Sequence, residues 1–182
     1  MKAVVVYESM YGNTHLIANA IGEGLRANLD VVVVPVEQAD HELVGTADLI
    51  VVGGPTHVHG MSRPKTRQAA VEAASKPDSD LVVDPDAEGP GLREWFTDLG
   101  DIGVDAAAFD TRVDAPAAFT GRASKSIAKK LIHHHAALIA PPESFLVTKA
   151  THLEPDEAQR AQAWGESLGV HTAKPVATRP DR

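Results

Sequence analysis

The sequence predicts an α/β fold, a parallel sheet with helices on both faces. Three observations carry this. Short, continuous apolar runs rich in β-branched residues recur along the chain, as in strands buried on both sides. Between them lie segments whose apolar residues recur three and four apart, the period of a helix with one buried face. The two patterns alternate five times, and such alternation favours parallel strands joined by helical crossovers.

Residues 3–7, A-V-V-V-Y, are the first predicted strand. The polar loop E-S-M-Y-G-N-T leads into a helix on which Ile17, Ile21 and Leu25 recur every four residues. Residues 31–36, V-V-V-V-P-V, are the second strand. Pro35 has no N–H for a ladder, which places this strand at an edge. A short helical connection is expected at residues 40–43. Residues 48–53, D-L-I-V-V-G, form a third strand that ends in the long loop G-P-T-H-V-H-G-M-S-R-P. The Ala-rich residues 65–74 suit a helix.

Residues 76–91 break the pattern. Asp78, Asp80, Asp84, Asp86 and Glu88 are five acids with no base among them, punctuated by Pro77, Pro85 and Pro90. Mutual repulsion predicts a solvated insertion, with at most a short edge strand at residues 81–83. The helical pattern resumes at Leu92, Trp95, Phe96 and Leu99, which buries both large rings. Residues 106–113 are a fourth strand. Ile127, Ala128, Leu131 and Ile132 mark a helix with lysines on its other side. Residues 138–140 and 145–148 read as two pieces of a fifth strand divided by Pro141-Pro142. Ala161, Trp164 and Leu168 mark the last helix, opened by Glu154-Pro155-Asp156. One domain over residues 1–173 is expected, with residues 174–182 as a frayed tail.

Composition bounds the chemistry. The chain has 182 residues, 17 basic and 25 acidic side chains, and a formal net charge of -8. That charge argues against nucleic-acid backbones as partners, which need a basic footprint. No cysteine is present, so thiolate chemistry and cysteine-held clusters are excluded and any redox chemistry needs a bound cofactor. The apolar runs fall far short of the roughly 20 residues of a membrane span. A cytoplasmic protein with no membrane span is expected, its oligomeric state open.

Ligands of such sheets bind beyond the carboxyl ends of the strands, where strand order switches. Here those ends are the loops after Tyr7, Gly53 and Val113. The first holds Ser9, Met10, Tyr11, Gly12, Asn13 and Thr14 at the start of a helix, where free N–H groups and the positive dipole end attract an anion. Hydroxyl and amide side chains add neutral donors, and Gly12 lets the backbone curl; a helix cap at Asn13 or Thr14 is the plainer alternative.

S-M-Y-G-N-T after the first strand resembles the phosphate loop of flavodoxins. It also resembles that of the flavodoxin-like quinone oxidoreductases of the tryptophan-repressor-binding-protein type. Gly53-Gly54-Pro55-Thr56 and Phe109-Asp110-Thr111-Arg112 resemble the strand ends that carry the second and third flavin loops. The resemblance implies a flavodoxin-like three-layer sandwich, a five-stranded parallel sheet of order 2-1-3-4-5, and FMN as cofactor. It assigns the phosphate to residues Ser9, Met10, Tyr11, Gly12, Asn13 and Thr14. The ring would lie against Pro55, Thr56, His57, Val58, His59 and Gly60 on one side, and against Thr111 and Arg112 on the other.

Three functions follow from it: an electron carrier serving a redox partner protein, an NAD(P)H-dependent reductase of a quinone-like acceptor, or a flavin-free interaction module. The net charge favours the carrier, with a basic partner docking on the acidic insertion. The S-M-Y-G form favours the reductase. Loops whose aromatic side chains are few (Phe119 alone in the third) favour the module. His57 and His59 could meet a flavin edge or face solvent, and no metal site is expected there or elsewhere. Arg112 could face flavin N1 or form a surface ion pair. The triplet His133-His134-His135 is expected at the surface of a helix end.

Overall fold

A computed structural model of the chain describes residues 1–57 and 59–173. Val58 and the expected tail, residues 174–182, lie outside the described residues.

The strands are β1 (Lys2–Tyr7), β2 (Asp30–Pro35), β3 (Leu49–His57), β4 (Gly60–Met61), β5 (Asp105–Val113), β6 (Ala137–Leu138) and β7 (Glu143–Val147). The helices are α1 (Asn13–Leu25), α2 (His41–Gly45), α3 (Pro64–Ala74), α4 (Leu92–Asp98), α5 (Ala117–Thr120), α6 (Ala123–His133) and α7 (Glu157–Ala173). β1 pairs in parallel with β2 on one side and β3 on the other, and β5 follows β3. β6 and β7 pair with successive halves of β5. The parallel positions thus follow the predicted order 2-1-3-4-5, with β6 and β7 sharing the fifth place around Pro141-Pro142. β3 runs four residues beyond the predicted strand, and β4 turns back antiparallel on its end.

Each face of the sheet buries its own core. Val5, Phe109 and Phe145 meet Ile17, Ile21 and Leu25 of α1 and Leu168 of α7. Val4, Val52 and Ala108 meet Leu92 and Phe96 of α4 and Ile127 and Leu131 of α6. Burial of each large side chain contributes about 1.5–3 kcal/mol, so both layers are held mainly by apolar contact. Trp95 is buried as predicted and donates its indole N–H to the Ala39 carbonyl at 2.7 Å. α1 and α7 approach closely because Gly24 and Gly165 lie between them. A Cβ on Gly24 would overlap the Gln162 carbonyl, and one on Gly165 the Ile21 carbonyl.

Three expectations need correction. Residues 76–91 do not form a solvated insertion, nor an edge strand at 81–83. The chain doubles back from α3 over the first loop as a strap: Asp84 N–H donates to the Met10 carbonyl at 2.8 Å, and Asp84 and Ala87 are buried. Charge counting missed this because two of the acids find partners. Tyr7 donates to Asp86 at 2.8 Å, and His15 Nδ1 lies 3.4 Å from Asp84. The triplet at the end of α6 is not uniformly superficial. His134 is buried, stacked on Phe96 at 5.8 Å between ring centroids. Finally, the third loop contains the short helix α5, which residues 117–120 do not announce by any apolar period.

Candidate functional site

A cleft of about 150 Å³ opens beyond the carboxyl ends of β1, β3 and β5. The three predicted loops meet there. Met10, Tyr11, Asn13 and Thr14 line it from the first, Pro55, Thr56 and His57 from the second, and Thr111 and Arg112 from the third. Val147 and Thr151, which sequence reading did not single out, complete the wall.

The first loop is built to present donors. Gly12 sits in the left-handed region at φ +85° and starts α1, with no side-chain cap and no acid in the first turn among the described residues. The positive end of the helix is therefore left to an external anion. Asn13 spends one amide hydrogen on the Thr151 carbonyl at 2.8 Å and keeps the other. Thr14 and Thr111 share one hydrogen bond of 2.7 Å, buried; one hydroxyl proton is engaged and the second is free. Ser9 and Gly12 do not line the cleft: the Ser9 hydroxyl accepts the Gly12 N–H at 3.2 Å and braces the loop from within.

The second loop is anchored from below. Thr56 donates its hydroxyl to Asp110 at 2.7 Å and accepts the Ala123 N–H at 2.8 Å. Asp110 is fully buried and also accepts the Ser124 N–H at 3.1 Å, at the start of α6. Its Oδ1 has no hydrogen-bond partner among the described residues. Asp110 is a structural hub that sequence reading quoted without assigning a role; the signal was a lone carboxylate inside the apolar run A-A-A-F-D. His57 lines the cleft and burial lowers its pKa, so it is neutral at pH 7. His59 is exposed with φ +70° and does not share the cleft. The H-x-H pattern therefore splits, and Gly60 lies in β4 away from the cleft lining.

Arg112 curls back into its own loop. Nη1 donates to the Ala115 carbonyl at 2.7 Å, while Nε is buried without a partner among the described residues. Phe119 is 77% exposed at α5. Behind the first loop, Met10, Ala70 and Ala87 form a small apolar cluster against Tyr11 and Val83, and Tyr11 donates to the Ala70 carbonyl at 3.1 Å. Tyr7 stacks on His15 at 4.5 Å. Burial, followed by the hydrogen bond and charge of Asp86 and the charge of Asp84, raises the Tyr7 pKa, so its hydroxyl stays a donor. His15, Asp84 and Asp86 each bring one potential ligand atom within 4.8 Å of the others, a grouping the sequence reading did not foresee. Glu8, just inside, is buried with its pKa raised by desolvation, and accepts the Leu92 N–H at 2.9 Å.

A donor-lined cleft outside the carboxyl ends of a parallel, doubly wound sheet, at the β1/β3 switch of strand order, defines a ligand-binding α/β protein of the open-sheet class. The flavodoxin family model matches residues 5–90, a stretch that contains the first two loops. The fold is similar to that of a flavodoxin from the domain Archaea, at 23% identity, TM-score 0.68, and coverage of 96% of this chain and 100% of that one. It is also similar to flavodoxin 1 from Bacillus cereus, at 18% identity, TM-score 0.63, and coverage of 94% and 99%. A third similar structure is a WrbA-like flavodoxin from Agrobacterium tumefaciens, at 17% identity, TM-score 0.57, and coverage of 94% and 96%. No curated protein matches the sequence. Residues 5–90 thus resemble the flavodoxin family in sequence, and the described chain shares the flavodoxin fold.

Proposed function

We propose that the cleft holds FMN and that the protein transfers electrons between partners. The observation that carries this is the uncapped N-terminus of α1, opening on a cleft where Asn13 and the Thr14–Thr111 pair keep free donors. Flavodoxins are FMN-binding flavoproteins, and the match over the first two loops supports the same cofactor here. The orphaned Arg112 Nε is a further donor at the cleft wall. FMN, when bound, accepts and returns one or two electrons at its ring. The chain's own part is to hold and tune it. The amides of residues 10–14, with Asn13 and Thr14, take the phosphate. Pro55, Thr56 and His57 form one wall of the ring site and Thr111 and Arg112 the other. Neutral His57 adds no charge to that wall at pH 7. A cytoplasmic setting belongs to the same proposal; among the described residues no helix is long and apolar enough to cross a membrane.

Titration of the flavin-free protein with FMN and with riboflavin tests this. Quenching of flavin fluorescence should saturate at one FMN per chain, with riboflavin bound far more weakly. Equal affinity for the two would remove the phosphate from the first loop, and no binding of either would end the proposal.

A further inference from the structure

On the other side of the β3–β4 hairpin from the cleft lies a shallow groove lined by Met61, Arg93, Ser126, Lys129, Lys130 and His133. No acid lines it, and the 11 residues of α6 contain none. Lys125, Lys129 and His133 are exposed and recur every four residues along the helix, a stripe about 12 Å long at 1.5 Å per residue. Among the described residues no carboxylate pairs within 4 Å with Arg93, Lys125, Lys129, Lys130 or His133, a state they share with Lys65, Lys76 and Lys149; what sets α6 apart is that three lysines and a histidine gather on 11 residues with no acid. Arg93 is fixed in place by donating to the Met61 and Ser62 carbonyls at 3.1 and 2.8 Å.

We propose that this groove docks a partner protein through an acidic patch on that partner. The inference deepens the electron-transfer reading by naming the partner's chemistry, and it reverses the expectation that a basic partner sits on the acidic strap. Charge complementarity favours a carboxylate-bearing surface. A nucleic acid is disfavoured because a long polyanion would run off this short stripe onto an acidic surface. A nucleotide is disfavoured because the groove is too shallow to bury one. The position suits transfer: Met61 of the groove pairs with Thr56 of the cleft wall, and Gly60 with His57, so a docked partner touches the hairpin whose other side faces the ring.

The test uses cytochrome b5 as an acidic probe, cytochrome c as a basic one, and three forms of the FMN-saturated protein, each with its flavin reduced beforehand by stoichiometric dithionite under anaerobic conditions. These are wild type, Lys129→Glu/Lys130→Glu, and the charge-matched control Lys65→Glu/Lys76→Glu. Stopped-flow reduction of cytochrome b5 should slow on the order of tenfold in the groove variant at low salt. The control should match wild type, and the difference should close at high salt. Binding of cytochrome b5 to ¹⁵N-labelled protein, with and without FMN, should perturb the amides of α6. Because this arm needs no flavin, it separates loss of docking from loss of the FMN reading. Equal rates in the two variants, or perturbed amides confined to the strap, would overturn the proposal. Binding of 2′-phosphoadenosine in the groove, or self-association abolished by Lys129→Glu/Lys130→Glu, would overturn it in favour of a nucleotide or a second copy. Faster reduction of cytochrome c by wild type than by the groove variant would also count against it.

Discussion

Thr14 and Thr111, 97 positions apart, share one buried hydrogen bond at the heart of the cleft. Thr14→Ala should therefore weaken FMN at least about tenfold, since a bond to a charged group is worth roughly 1.5–3 kcal/mol. It should also cost about 1–3 kcal/mol of stability, because the Thr111 hydroxyl is left buried without its partner. Fluorescence titration and urea unfolding read the two effects; unchanged affinity would take Thr14 out of the site. That Thr14 lines the cleft was legible from S-M-Y-G-N-T, but its pairing with Thr111 was not, because no local pattern links a helix start to a strand's end. Glu8 makes a pH prediction. Its folded pKa is raised by burial, so the native state holds a proton that the unfolded chain has released. Stability from this group is complete below the unfolded carboxylate pKa and is lost as pH rises through the higher folded value. Glu8→Gln keeps an acceptor for the Leu92 N–H and should remove that loss, making the variant the more stable form at pH 8. A parallel pH dependence of unfolding in both proteins would show that Glu8 is not the group responsible.

The strap shows how an element can be misread one charge at a time. Five acids in a row of solvent-loving residues predict a mobile segment, and three of them behave that way, with Asp78, Asp80 and Glu88 exposed. Asp84 and Asp86 do not, because Tyr7 and His15, some seventy positions earlier, face them. Tyr7 looked like the end of a buried strand and His15 like a helix residue; neither carried a sign of the strap. Deleting residues 77–89 should destabilise the fold by uncovering Met10 and Ala70, a cost that removal of a solvated insertion would not carry. Tyr7→Phe isolates the tie. It should cost about 1.5–3 kcal/mol, the range for a hydrogen bond to a charged group, and should speed protease cleavage within residues 76–91. Cleavage at the wild-type rate would mean that the Asp84–Met10 backbone bond and the small apolar cluster hold the strap unaided. The strands, by contrast, were readable to within a few residues, because burial on both faces writes itself as an unbroken apolar run. The end of β3 was not: Gly54 and Pro55 read as loop, yet β5 supplies Asp110 and Thr111 as ladder partners.

At the scale of the molecule, the layering followed from alternation and the strand order from the family resemblance, whereas the charge distribution followed from neither. A net charge of -8 says nothing of where the basic side chains gather, and α6 collects them beside the cleft. If FMN binds only the folded chain, mass action adds about 2.7 kcal/mol at a hundredfold excess over Kd. For a domain of this size that raises Tm on the order of 5–10 °C. Calorimetry at several FMN concentrations should show a midpoint that climbs with the logarithm of ligand; a fixed midpoint would mean no selective binding. The bond between Asn13 and Thr151 spans 138 positions, and α7, still later in the chain, clasps α1 through Gly24 and Gly165. On a ribosome the first loop is thus made almost at the outset and finished almost at the end. A nascent chain halted after β5 has Asn13 and no Thr151 to hold it, so the cleft wall is completed only when the last part of the chain has emerged.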